Sequence, residues 1–363
     1  MSDRVYNFGA GPAMLPIPVM EQIKEEFLDY KGTGVSIIEI SHRSKEFDAL
    51  LDEADTLFKE LVSLPSNYKI LYVHGGAQMQ FSAIPMNLMN RKPSKKAVYF
   101  ETGNFAKIAA KEAARYGEVK IGASSSDTNF DRIPDVDLNQ IDEDASYAYL
   151  TSNNTLYGTR WNNFDNNGKV PIAVDATSEI LSRKFDFEKF GLVYGGTQKN
   201  LGPSGLAMVI IREDLLGHEY PETPKLLNYS VYEKNHSLAN TPNTFAIYAI
   251  GLVLKWLKDL GGVSEIEKRN EKKSKLLYDL IDGSAFYKGH AMPEHRSTMN
   301  VTFNVPSPEL LDLFLKEALE NGLYALKGHR NVGGARASIY NAMPLEGVQK
   351  LADFMKEFER RKG

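Results

Sequence analysis

No cysteine occurs among the 363 residues. Disulfide frameworks, thiolate metal sites and thiol nucleophiles are thereby excluded. The seven histidines form no His-x-x-x-His pair, which leaves metal-assisted hydrolysis without support and no metal expected. Positive charge is not in excess: 43 Lys and Arg against 47 Asp and Glu give a formal net charge of −4, the wrong balance for a nucleic-acid partner. No run of about 18 apolar residues is present, so no membrane span is expected. The segment Met1 to Met14 lacks the basic-then-apolar pattern of a signal peptide, and the cytoplasm is the expected compartment. The G-x-x-x-x-G-K-[ST] phosphate loop is missing, and Gly9-Ala-Gly11 runs into Pro12 without a third glycine, which undercuts a dinucleotide site.

What is present reads as an ordinary globular protein, 42% hydrophobic and 25% charged, long enough for about two domains at roughly 150 residues each. Short apolar runs alternate with helical periods. Strands are expected at 69–73, 97–100, 147–150, 170–174, 192–194 and 206–211. Helices are expected from Pro16 to Gly32 and at 47–61, 78–88, 105–116 and 245–260, while 124–131 reads as a polar loop. Such alternation predicts an α/β fold, a mainly parallel sheet covered by helices on both faces, with ligands at the carboxyl ends of its strands. After Gly261-Gly262 the pattern changes to helix (264–281), strand (299–305), helix (308–320), strands (323–326 and 335–340) and helix (345–360). The expected division is a large domain over 16–260, a smaller α+β domain over 261–363, and a segment 1–15 packed near the active site.

The most informative stretch is Leu192-Val-Tyr-Gly-Gly-Thr-Gln-Lys-Asn-Leu-Gly-Pro-Ser-Gly-Leu206. An apolar strand ends, Lys199 follows, and a glycine-rich loop leads into a second apolar strand. The flexible lysine stem would reach a site at the sheet's edge, and glycines let backbone approach a flat cofactor. In Val170-Pro-Ile-Ala-Val-Asp175 a carboxylate closes a buried strand, where pyridoxal phosphate needs one beside its ring nitrogen. An aspartate there is also a common helix cap; together with Lys199 the cofactor reading is favoured. In Tyr72-Val-His-Gly-Gly-Ala-Gln78, glycines between a strand and a helix start suit an anion. His74 reads as a packed histidine.

These segments carry a resemblance. Asn7-Phe-Gly-Ala-Gly-Pro-Ala-Met-Leu15, Ser41-His-Arg-Ser-Lys-Glu-Phe47, His74-Gly-Gly76, Gly196-Thr-Gln-Lys-Asn-Leu-Gly-Pro203, Met299-Asn-Val301, Ala325-Leu-Lys-Gly-His-Arg330, Val332-Gly-Gly334 and Arg336-Ala-Ser-Ile-Tyr-Asn-Ala-Met-Pro-Leu-Glu-Gly347 resemble the class V aminotransferases of the type I pyridoxal-phosphate fold over essentially the whole length. The resemblance implies pyridoxal 5'-phosphate as cofactor, with Lys199 as its Schiff-base lysine and proton shuttle. It places Asp175 at the ring nitrogen, Thr155 at the ring hydroxyl, and Ala77, Gln78 and Gln198 at the phosphate. Asn240 and Thr241 would reach that phosphate from the second subunit of a homodimer with shared active sites. Phe105 stands where many relatives stack a tryptophan, and Gln78 where some carry arginine. The implied reaction is reversible amino transfer between glutamate and 3-phosphohydroxypyruvate in serine biosynthesis. Action on 4-phosphohydroxythreonine, in pyridoxine biosynthesis, is left open by the sequence.

Substrates anionic at both ends need two cationic poles. Arg336 is the candidate for clamping the α-carboxylate through a planar, bidentate fork. The pairs His42-Arg43 and His329-Arg330 are candidates for the phosphate or distal carboxylate, with the contributing subunit open.

Overall fold

A computed structural model describes residues 4–363. Seven strands form the main sheet: β1 (Tyr68–His74), β2 (Lys96–Glu101), β3 (Glu118–Ser124), β4 (Tyr147–Thr151), β5 (Ile172–Asp175), β6 (Leu192–Gly196) and β7 (Leu206–Arg212). Their order is β1-β7-β6-β5-β4-β2-β3. All neighbours are parallel except β7, which runs antiparallel to both β1 and β6. Six carboxyl ends therefore gather on one edge, joined there by the amino end of β7.

The apolar runs read as strands because the sheet is buried on both faces. One face, with Tyr72, Val98, Leu150, Val174 and Met208, packs against α1 (Ile17–Glu26), α2 (Lys45–Val62) and α6 (Thr244–Asp259). The other, with Val73, Tyr99, Tyr149, Tyr194 and Val209, packs against α3 (Gly76–Leu88), α4 (Asn104–Ala113) and α5 (Tyr229–Lys234). Local signals set the helix starts. The Ser44 hydroxyl accepts the Phe47 N–H at 3.2 Å to cap α2, and the Asn243 side chain accepts the Ala246 N–H at 3.0 Å to cap α6. Each such cap stabilises by about 1 kcal/mol.

A second core lies in the C-terminal part. Strands β8 (Asn300–Asn304) and β9 (Ala335–Ser338) pair antiparallel, with Lys288–Gly289 on the outer edge of β8. They are covered by α8 (Pro308–Glu320) and α9 (Leu345–Lys362). Helix α7 (Gly262–Asp282) serves both cores: Val263 and Ile266 belong to the first, Leu277 and Ile281 to the second. The N-terminal segment joins the C-terminal core, since Phe8 and Met14 pack there and Tyr6–Asn7 pairs in parallel with Leu323–Tyr324.

Several elements differ from the sequence reading. Strand β3 was not expected; it sits at the sheet's edge with most side chains exposed, so it lacks the apolar run of a covered strand. The helix expected through Gly32 ends at Glu26, and the chain passes through a 3₁₀ turn at Tyr30–Gly32. The strand expected over 323–326 is two residues long. Helix α4 stops at Ala113 rather than Tyr116. Among the described residues no helix is long and apolar enough to cross a membrane.

Candidate active site

A cleft of about 540 Å³ opens at the carboxyl edge of the sheet. Of the fourteen residues singled out from sequence, nine line it: Ala77, Gln78, Phe105, Thr155, Asp175, Gln198, Lys199, His329 and Arg336. The sheet explains the convergence. Asp175 is the last residue of β5, Lys199 follows the end of β6, Thr155 follows β4, and Ala77 opens the helix after β1. Four separate strand ends are thus brought together, three by direct parallel pairing and that of β1 across the antiparallel β7.

Lys199 is 9% exposed. Its Nζ donates to the Thr155 hydroxyl at 2.6 Å. Burial pushes the amine down to about 8, with the Asp175 charge opposing and Arg336 adding to the shift. An amine so placed can lose its proton near neutral pH and serve as nucleophile or base. Asp175 accepts the Thr177 N–H at 3.0 Å through Oδ1, and the Thr177 hydroxyl in turn accepts the Gly196 N–H at 3.1 Å. The carboxylate is therefore held by the loop on its own strand and, one step removed, by β6.

Arg336 lies in β9, brought to the cleft from the C-terminal core. It is 8% exposed, and its Nε and Nη1 have no hydrogen-bond partner. Burial lowers its pKa, as expected for a guanidinium withdrawn from water. A buried fork with free donors is built to take an anion, because an unpaired buried charge is costly. His329 is half-buried beside it, and burial, then Arg336 and Arg330, lower its pKa.

The cleft also fits a phosphorylated aromatic cofactor. Helix α3 starts at the Gly75-Gly76 turn, both residues at positive φ (89° and 70°), and no side chain caps it. Its first-turn N–H groups are available to an anion. At Gly196 a Cβ would stand 2.6 Å from Gln198 Oε1 and 2.9 Å from the Ala77 Cβ, so only glycine lets these walls close together. Asp175 offers the carboxylate, Phe105 an aromatic ring and Lys199 the amine that pyridoxal phosphate requires. That donor set matches the cofactor implied by the sequence.

Five predicted residues do not line this cleft: His42, Arg43, Asn240, Thr241 and Arg330. Arg43, Thr241 and Arg330 are exposed, and His42 and Asn240 half-buried. The Asn240 amide lies 3.2 Å from His74 Nε2, so the histidine set aside from sequence buttresses the segment carrying Asn240 and Thr241. Sequence reading also missed Thr151, Asn153, Thr177, Ser178 and Ser204, all of which line the cleft, while Gly205, from the expected glycine-rich loop, lines it as well. A usable signal existed: polar residues directly after fully apolar strands, as in Thr151 to Thr155 and Thr177-Ser178. Asn153 shows their use, donating to both the Ser178 hydroxyl and Asn300 Oδ1 at 2.8 Å, which ties the cleft to β8.

Comparison with known proteins agrees with this geometry. The chain is 51% identical over 357 residues to the phosphoserine aminotransferase of Bacillus cereus, covering 98% of this chain and 99% of that protein. The solved phosphoserine aminotransferase from Bacillus circulans subsp. alkalophilus superposes with a TM-score of 0.96 at 46% identity, over 100% of both chains. The PLP-bound phosphoserine aminotransferase from Trichomonas vaginalis gives a TM-score of 0.92 at 36% identity, over 97% of this chain and 100% of that one. The family model described as aminotransferase class-V matches residues 5–351. With a buried amine, a carboxylate at a strand end and a free guanidinium meeting in one cleft, the chain belongs to the class V aminotransferases.

Proposed function

We propose that the chain is a pyridoxal-phosphate-dependent phosphoserine aminotransferase, moving an amino group reversibly between glutamate and 3-phosphohydroxypyruvate. The observation that carries this reading is the meeting of Lys199, Asp175 and the unpartnered Arg336 in one cleft. The substrates follow from the relatives' names and from the cations on and around that cleft.

Pyridoxal phosphate, when bound, supplies the electron sink for negative charge at the substrate's α-carbon. Asp175, at the buried end of the cleft, would stand beside the ring nitrogen. Thr155, which holds the Lys199 amine, would take the ring hydroxyl, Phe105 would stack, and Ala77, Gln78 and Gln198 would hold the phosphate. Lys199 removes and returns a proton at the substrate's α-carbon, within reach of neutral pH because burial has brought it to about 8. Arg336, whose guanidinium has no partner among the described residues of its own chain, fixes the α-carboxylate. The pairs His42-Arg43 and His329-Arg330 form the pole for the substrate phosphate or distal carboxylate.

The reading includes a homodimer whose sites are shared, with Asn240 and Thr241 facing the second subunit's cofactor phosphate. Their position outside their own chain's cleft supports this. So does the cluster of exposed apolar side chains at Ile17, Met20, Phe27, Leu28, Val35 and Ile38, of which Leu28 is 81% exposed. The division into 16–260 and 261–363, with 1–15 beside the site, is part of it, and so is a cytoplasmic location, which the lack of cysteine suits. A glutamate half-reaction followed by 3-phosphohydroxypyruvate tests the proposal. Formation of 2-oxoglutarate and then O-phosphoserine is expected; turnover of pyruvate in preference to the phosphorylated acid would overturn it.

A further inference from the structure

Lys273 lies within α7 and is 2% exposed. Its Nζ donates to the carbonyls of Ile339 at 3.0 Å, Tyr340 at 2.8 Å and Met343 at 3.0 Å. These three bonds use every hydrogen of an ammonium, and all three acceptors sit in one turn. That turn follows β9, the strand that carries Arg336.

The same turn is tied to the opposite wall of the cleft. The Asn341 N–H donates to Asn200 Oδ1 at 3.1 Å, and its Nδ2 donates to the Leu181 carbonyl at 2.9 Å. Asn200 is the residue after Lys199, and its own amide donates to the Ile180 carbonyl at 3.1 Å. From α7, Asn270 donates to Asn341 Oδ1 at 2.9 Å. The turn 339–343 is therefore where the Arg336 strand, the Lys199 loop and the helix shared by both cores meet. Burial pushes the Lys273 amine down to about 7, while the three carbonyls favour its charged form, and together they leave this anchor one well-defined arrangement.

We infer that Lys273, acting with Asn341, is a positioning residue that fixes the Arg336 guanidinium relative to the Lys199 amine. The inference rests on the reading of Arg336 as the α-carboxylate clamp. Arg336 and Lys199 act on neighbouring atoms of one substrate, so a shift of the turn moves the carboxylate relative to the base. Such a shift of about 1 Å costs up to about 100-fold in reactivity.

The test uses the holoenzyme and two variants. Lys273→Met removes the three donors and keeps an apolar stem, whereas Asn341→Ser leaves the Lys273 bonds and the backbone N–H to Asn200 and cuts the side-chain links to Leu181 and Asn270. Each is assayed per titrated active site, at a temperature where circular dichroism shows it folded. We expect kcat/KM for both glutamate and the keto acid to fall, and the inhibition constant of glutarate to rise, by roughly tenfold or more. Cofactor affinity should stay within about twofold of wild type, as for a site with separate contacts. Amide hydrogen exchange over 336–341 should quicken in both variants. Unchanged kcat/KM and inhibition constants with only a lowered melting temperature would reduce Lys273 to a structural plug and overturn the inference. Should Lys273→Met not fold, Asn341→Ser decides alone. An Arg336→Ala control separates the premises: if glutarate inhibition ignores that change, the clamp reading fails, independently of what the exchange experiment shows.

Discussion

Lys199, Thr155 and Asp175 on the floor of the cleft are all less than one-tenth exposed, while Arg43, Thr241 and Arg330, predicted for the same site, lie in water away from it. The floor is made from strand ends, where parallel pairing leaves little freedom, and its polar atoms are mostly bonded. The rim is made from loops and helix starts on the surface. Every residue of that floor belongs to one chain; under the shared-site proposal, a second copy brings the rim's cations over the cleft. On that proposal the contrast separates chemistry, carried by one chain, from recognition of the substrate phosphate or distal carboxylate, shared by two.

The sharpest way to break that comparison is at the floor. Lys199→Ala should lower turnover by at least about 10³-fold, near the upper range of a positioned acid–base group, while pyridoxal phosphate still binds. Single-turnover spectra with glutamate measure this, and borohydride reduction with peptide mapping should place the pyridoxyl label on Lys199 of the wild type. A label on another lysine would move the floor elsewhere.

Asp175→Asn keeps the shape and removes the charge. Turnover should fall by about 10²- to 10³-fold, as for loss of a preorganised electrostatic partner, with modest loss of cofactor. Near-normal turnover would leave Asp175 as no more than a loop cap for Thr177.

At the rim the effect should be smaller and selective. Arg43→Ala or Arg330→Ala should weaken use of 3-phosphohydroxypyruvate relative to pyruvate by about 10- to 150-fold, the worth of one charge-assisted bond of roughly 1.5–3 kcal/mol. Equal losses for both keto acids would place these arginines outside the phosphate pole. Sharing itself is read by mixing chains, one carrying Lys199→Ala and the other bulky replacements at Asn240 and Thr241. Random exchange pairs half the dimers as hybrids with one sound site each, so activity should return to about one quarter of wild type. No recovery after confirmed exchange would make each site the property of one chain.

The smallest expected effect is a titration. In the cofactor-free protein Lys199 should react with an amine reagent with a midpoint near pH 8 instead of 10.5, because burial favours the neutral form. The folded pKa is depressed, so below about 8 the buried charge penalises folding, and the penalty fades as pH rises toward 10.5. A midpoint near 10.5 would mean that water reaches the floor.

Most of the large core was legible because a sheet covered on both faces demands unbroken apolar runs, and 70–73, 147–150 and 206–211 are such runs. Strand β3 escaped because an edge strand with exposed side chains carries no such demand. In the site, Lys199 and Asp175 stood out because each ends an apolar strand where a charge has no packing role. Thr177 and Ser178 did not, since hydroxyls after a strand are common in turns; their place beside Asp175 depends on a loop folding back onto β6.

By itself the sequence determined the strand–helix rhythm, the ends of the buried strands and hence the residues offered at the sheet's edge, because periodicity and breakers act over a few residues. Only the tertiary structure decided that Arg336, from a different core and more than a hundred residues beyond Lys199 along the chain, shares its cleft with two unpaired donors. It alone decided too that the N-terminal segment packs with the C-terminal core, and that Lys273 closes the turn between the two walls. Those arrangements come from contacts between distant segments, chosen by which faces and polar groups can be satisfied together, and no local pattern of residues encodes such a choice.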